Sequence, residues 1–197
     1  MNDLKIIEKI RSFPKKIFTV SDLEKILPFS KKSLPTIISR LKKRGVLNQV
    51  ARGYYSAYGE VIVPENVACQ IYYPSYLSLK TVLSKAGVIN QIPKAIYLVT
   101  PRKTYQTEIA GVSVVYRQIK KELFFGYYLK DQSLIAYPEK ALLDLLYFSS
   151  RGLETVNFSE MDWSYLNKKR LEKWGRRYSK KIREVLNEIV FKYFTPK

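Results

Sequence analysis

Between Ser33 and Gly45 the chain carries two opposed surfaces at helical spacing. Leu34, Ile37, Ile38 and Leu41 recur at i, i+3, i+4 and i+7, and a stripe of that width has to be buried against other helices. Ser33, Thr36, Arg40 and Lys43 fall on the other side, flanked by Lys31, Lys32, Lys42 and Arg44, with no acidic residue among them. A face of one sign suits a polyanion such as DNA, the reading favoured here over the alternatives of an ordinary charged face in water or a protein-docking surface.

The flanking sequence predicts what surrounds that helix. Leu4, Ile7 and Ile10 give a short amphipathic helix over Asp3 to Arg11, and Lys16 to Val20 reads as a strand. Ser21 with Glu24 has the form of a capping box for a second helix that Pro28 stops. Ser33 is a plausible N-cap of the third, Pro35 falls in its first turn, and Gly45 ends it. Val46 to Val50 and Tyr54 to Ser56 then pair around Ala51-Arg52-Gly53, which puts Arg52 at a hairpin tip. Helix, strand, helix, turn, helix, hairpin is the order of a winged helix-turn-helix. In that fold the third helix enters the major groove, short polar side chains near its N-terminus reach base edges, and cations neutralise phosphates. The expected DNA-binding residues are Lys31, Lys32, Ser33, Thr36, Arg40, Lys43, Arg44 and Arg52.

Overall charge agrees. Lys and Arg total 35 against 17 Asp and Glu, a net +18 that attracts nucleic acid or anionic lipid. Residues 1–63 hold 13 basic and 5 acidic side chains, and residues 151–197 hold 12 and 6, so the excess lies at the two ends. The chain has no histidine, which removes the usual general base, the usual zinc ligand and every Ser-His or Cys-His nucleophile. Its one cysteine, Cys69, allows no intrachain disulfide and reads as a buried small apolar group. No apolar run suits a signal peptide or a membrane span, so a cytoplasmic protein without membrane attachment is expected. The pattern predicts no enzyme, catalytic residue, metal or cofactor.

Pro64-Glu65-Asn66 is a breaker cluster that divides a winged helix-turn-helix at 1–63 from a second domain at 64–197. In the second, residues 76–86 look helical, Ala95 to Thr100 is an apolar strand, and 104–109 with 112–117 form a hairpin around Ala110-Gly111. Strands over 127–129 and 133–137 lead to a helix opened by Pro138, with Ala141, Leu142, Leu145 and Leu146 facing inward. Glu139, Lys140 and Asp144 read as a helix-start acid and solvent charges, because a Glu and an Asp five apart share a helix face poorly. Residues 167–191 form a basic amphipathic helix, with Gly175 a weak point in it. Such a helix can lie on anionic membranes; packing with a phosphate-facing surface is favoured here, since its apolar side is needed as a cover. The expected fold class is α+β, mixed α/β, with a C-terminal helix.

Three segments of the second domain are distinctive in order: Tyr76-Leu77-Ser78-Leu79 through Ala86-Gly87-Val88, then Glu122 to Gly126, then Ala136-Tyr137-Pro138-Glu139-Lys140-Ala141-Leu142-Leu143-Asp144-Leu145-Leu146. Behind a winged helix, they resemble the AbiEi antitoxins, the transcription-regulating half of type IV toxin-antitoxin systems. The resemblance spans roughly residues 4–150 and implies a bifunctional protein. Its winged helix would bind double-stranded DNA at its own promoter and repress it. Its second domain would counter a nucleotidyltransferase toxin encoded beside it, with direct contact left open. The alternative is a stand-alone winged-helix transcription factor whose second domain senses a ligand or dimerises.

Overall fold

A computed structural model describes residues 2–194 and gives a mixed α+β chain in two compact units. The first runs to Val67 and includes Glu108–Gly111; the second comprises Ala68–Thr107 and Val112 onward. The expected boundary at Pro64 to Asn66 falls inside a helix, α4 (Pro64–Ile71), because a proline in the first helical turn starts a helix as readily as it breaks one.

In the first unit α1 (Asp3–Arg11), α2 (Val20–Ile26) and α3 (Leu34–Lys43) stand beside a three-stranded sheet of β1 (Phe18–Thr19), β2 (Leu47–Ala51) and β3 (Tyr54–Ala57), ordered β1-β3-β2. Ile6, Ile10, Phe18, Leu23, Ile26, Leu34, Ile38, Leu41 and Leu47 form one apolar core. The cap of α2 is not Ser21 with Glu24. Thr19 and Asp22 make the capping box, since β1 passes into α2 without a spare residue and the helix begins two residues earlier.

The second sheet has six strands, ordered β6-β7-β5-β4-β9-β8, from β4 (Tyr76–Leu77), β5 (Ile96–Thr100), β6 (Tyr105–Ile109), β7 (Val112–Gln118), β8 (Tyr127–Lys130) and β9 (Ser133–Ala136), all in the second unit but for the last two residues of β6. β4 is antiparallel to β5 and parallel to β9, and β5 is parallel to β7. Residues 76 and 77, expected in a helix, are strand β4; the helix α5 (Leu79–Lys85) starts only after them. Asp131 and Gln132 both have positive φ, the geometry of a two-residue type I′ turn, and join β8 to β9.

Helix α6 (Pro138–Ser149) packs on α5 and β9, and every side chain from Glu139 to Phe148 is buried. The C-terminal helix is two helices, α7 (Lys168–Gly175) and α8 (Lys180–Phe194). The break gives each a buried side: Leu171 on α7, and Ile182, Leu186 and Ile189 on α8. Among the described residues no helix is long and apolar enough to cross a membrane.

Candidate nucleic-acid interface and a buried charge cluster

Packing of Leu34, Ile38 and Leu41 into the first core fixes the roll of α3 and turns Thr36, Arg40 and Lys43 outward at i, i+4 and i+7. Lys31 and Lys32 are exposed in the turn before it, and Arg52 is exposed between β2 and β3. Among the described residues none of Lys31, Lys32, Arg40, Lys43 and Arg52 is ion-paired, so their charges are available to an outside anion.

Two of the expected contact residues are engaged within the unit. Arg44 Nη2 lies 3.0 Å from Asp3 Oδ1, an exposed pair in which part of its charge is already answered. Ser33 occupies the N-cap position of α3 but does not cap it. Its backbone is already helical (φ −85°, ψ −22°), so its hydroxyl turns back to donate to the Ser30 carbonyl at 3.0 Å. The Leu34 amide is taken by the same Ser30 carbonyl at 3.0 Å and Pro35 has no amide to offer, so the start of α3 is tied to its preceding turn. Lys42, read as a flanking cation, donates to the Gln49 side chain.

In the second unit the residues read as solvent charges are among the most buried in the chain. Glu139, Lys140 and Asp144 are 3%, 0% and 0% exposed. Glu139 accepts from the Asn167 amide at 2.8 Å and from Arg170 at 3.2 Å, which ties the start of α6 to that of α7. Lys140 ion-pairs with Asp144 one turn on and donates to Tyr178 Oη at 2.9 Å. Asp144 Oδ2 accepts from Tyr76 Oη at 2.9 Å and Ser78 Oγ at 2.8 Å, and Oδ1 accepts from Tyr178 Oη at 3.2 Å. Burial, then the Asp144 charge, push both phenols well above their ordinary range. Burial lowers the Lys140 ammonium, with Asp144 opposing it.

Gly126 belongs to this cluster through its backbone. Its φ is +74°, and a Cβ there would lie 3.1 Å from Lys140 Cγ. The Phe-Phe-Gly and Pro-Glu-Lys-Ala-Leu-Leu-Asp segments therefore meet at one buried ammonium, which also lies 4.9 Å from the Phe125 ring centroid. With its charged atoms partnered and buried, the cluster orients α6, β4 and Tyr178. Its sequence signal was the apolar setting: a helix apolar all round is a buried one, and charges inside it go with it.

A cavity of about 450 Å³ opens on the second unit, lined by Lys80, Asn90, Gln91, Leu145, Glu160 and Met161 among others. No protein family matches the chain, and no curated protein matches it significantly.

Proposed function

We propose that the chain is a transcriptional autorepressor that binds double-stranded DNA at its own promoter through a winged helix-turn-helix, α1 to β3. We propose further that its second unit is the antitoxin of a type IV pair, countering a nucleotidyltransferase toxin. The observation that carries the DNA-binding reading is the outer face of α3, where Thr36, Arg40 and Lys43 stand together with no acid among them. The β1-β3-β2 sheet with Arg52 between β2 and β3 supports it, being the wing's arrangement. The antitoxin reading rests on the resemblance of residues 76–88, 122–126 and 136–146 to AbiEi proteins.

Promoter duplex and scrambled duplex, titrated over a range of salt, test the first part. Arg40→Ala, Lys43→Ala and Arg52→Ala together should lower affinity for both and reduce the log-log salt slope by about 0.9 for each phosphate that is no longer neutralised. Thr36→Ala should blunt the preference for promoter more than it weakens scrambled binding, because base-edge contacts specify and phosphate contacts position. Unchanged affinity and slope in the triple variant would refute the docking. Growth of cells expressing the neighbouring nucleotidyltransferase, with and without this chain, tests the second part; no protection refutes it.

One observation favours the other reading, a regulator with a ligand-sensing domain: the cavity beside Lys80 and Gln91 has the volume of a small-molecule site. Under that reading a small ligand changes promoter affinity, and Gln91→Ala abolishes the response while leaving ligand-free binding alone.

A further inference from the structure

The cations of α7 and α8 are in excess of what packing requires. Over residues 168–183 there are nine Lys and Arg against one acid, Glu172. Arg170 is paired with Glu139, and Lys180 loosely with Glu184 at 3.9 Å. Lys169, Lys173 and Arg176, at i, i+4 and i+7, are exposed along one side of α7.

The adjoining side holds Arg170, Trp174 and Arg177, again at i, i+4 and i+7, and is interleaved with rings. Trp174 lies 5.8 Å from Phe125 and 5.7 Å from Tyr137, and Tyr137 lies 4.9 Å from Tyr128, centroid to centroid. The Arg177 guanidinium sits 3.8 Å from the Phe125 centroid, and that of Arg170 4.4 Å from the Tyr137 centroid. Phe125, Tyr137 and Trp174 are only partly buried, and Tyr128 is exposed. Partly exposed rings capped by planar guanidiniums, with further cations beside them, form a combination on which unpaired bases stack while their phosphates are neutralised.

We propose that this surface of the second unit binds single-stranded nucleic acid, apart from any duplex-binding role of the first. Duplex DNA presents phosphates but keeps its bases stacked inside, so it can use the lysines and not the rings. An anionic membrane would need an apolar helix face to insert, and the apolar residues Leu171, Ile182, Leu186 and Ile189 are turned into the protein, each at 3% exposure or less.

The test uses the full chain carrying Arg40→Ala, Lys43→Ala and Arg52→Ala, which silences the α3 face. The probes are labelled mixed-sequence single strands of RNA and of DNA, the corresponding duplex, inorganic polyphosphate, and vesicles containing phosphatidylserine. Either single strand should bind at least 10-fold more tightly than the duplex, the better one naming the sugar that is read. Binding should quench tryptophan fluorescence, and Trp174→Phe, which leaves Trp163 as the remaining tryptophan, should remove the quench. Lys169→Ala, Lys173→Ala and Arg176→Ala together should cost 10-fold or more and lower the salt slope by about 0.7 for each phosphate released, with an unchanged circular dichroism spectrum. Equal affinity for duplex, polyphosphate or vesicles, or binding of single strands that leaves Trp174 unquenched, overturns the proposal. The first unit is judged separately, by promoter binding of the chain with its α3 face intact.

Discussion

Lys140 and Asp144 stand one turn apart on α6 and form an ion pair in which neither side chain reaches solvent. Asp144 also accepts from Tyr76, Ser78 and Tyr178, whereas Lys140 has Asp144 and Tyr178. Removing the acid therefore leaves a buried cation and three hydroxyls without their acceptor, while removing the lysine leaves an acid that keeps three donors. Asp144→Ala should cost about 3–5 kcal/mol and Lys140→Met clearly less. Urea unfolding of the two variants, compared at equal slope, gives the ordering.

The same pair sets a pH dependence. In Asp144→Asn the Lys140 ammonium loses the charge that opposes burial, so its folded pKa drops further below 10.5. Between the folded and unfolded values the unfolded chain holds the extra proton, so stability rises with pH through that window. The variant should be less destabilised at about pH 9 than at about pH 6. A defect that is constant with pH would show that removing the Asp144 charge leaves the protonation of folded Lys140 unchanged over that range, and would refute the dependence.

Asp22 closes the capping box of α2. Burial tends to raise its pKa, but hydrogen bonds from Lys15 and Thr19 outweigh this and lower it from 3.8 to about 2. A depressed acid contributes stability above the unfolded value and loses it as pH falls through the folded one, so its share disappears between 3.8 and about 2. Asp22→Ala should cost about 1 kcal/mol at neutral pH and flatten the acid unfolding curve in that window, as measured by circular dichroism.

Gly175 ends α7, where alanine is favoured over glycine by about 1 kcal/mol in an isolated helix. Here a Cβ would clash with Leu186 Cδ2, and Leu186 is buried on α8. Gly175→Ala should destabilise by about 1–3 kcal/mol, the range for overpacking, rather than stabilise. Pairing it with Leu186→Ala should recover part of the loss, a coupling that a thermal-unfolding double-mutant cycle reads directly.

Asp3 holds Arg44 at 3.0 Å, so the DNA-binding proposal ranks the cations of the first unit. Arg44→Ala should weaken duplex binding less than Arg40→Ala. Asp3→Asn should strengthen it, by removing a negative charge and releasing a positive one. Titration at two salt concentrations checks both, and an Arg44→Ala loss as large as that of Arg40→Ala would place Arg44 on the phosphates.

The sequence by itself determined the elements whose periods are unambiguous: the buried stripe of α3, the strand at Ile96–Thr100, the hairpin tip at Arg52 and the inward Leu142 and Leu145 of α6. Each follows from local spacing, because side chains three and four apart on a helix, or alternate on a strand, share a face whatever surrounds them. It also showed the acid-free charge of α3 and the nine-to-one basic excess of residues 168–183, which are matters of composition. Tertiary structure alone decided what the second unit does with its charges. Whether Lys140 and Asp144 meet water depends on α7, α8 and β4, which lie up to 68 residues away in the chain and supply Tyr178, Tyr76 and the cover. Likewise Gly175 is a break in one helix by propensity and a close approach of two by packing, a distinction carried by Leu186 eleven residues later. Burial depends on which distant segment arrives, and the spacing of neighbours holds no information about that.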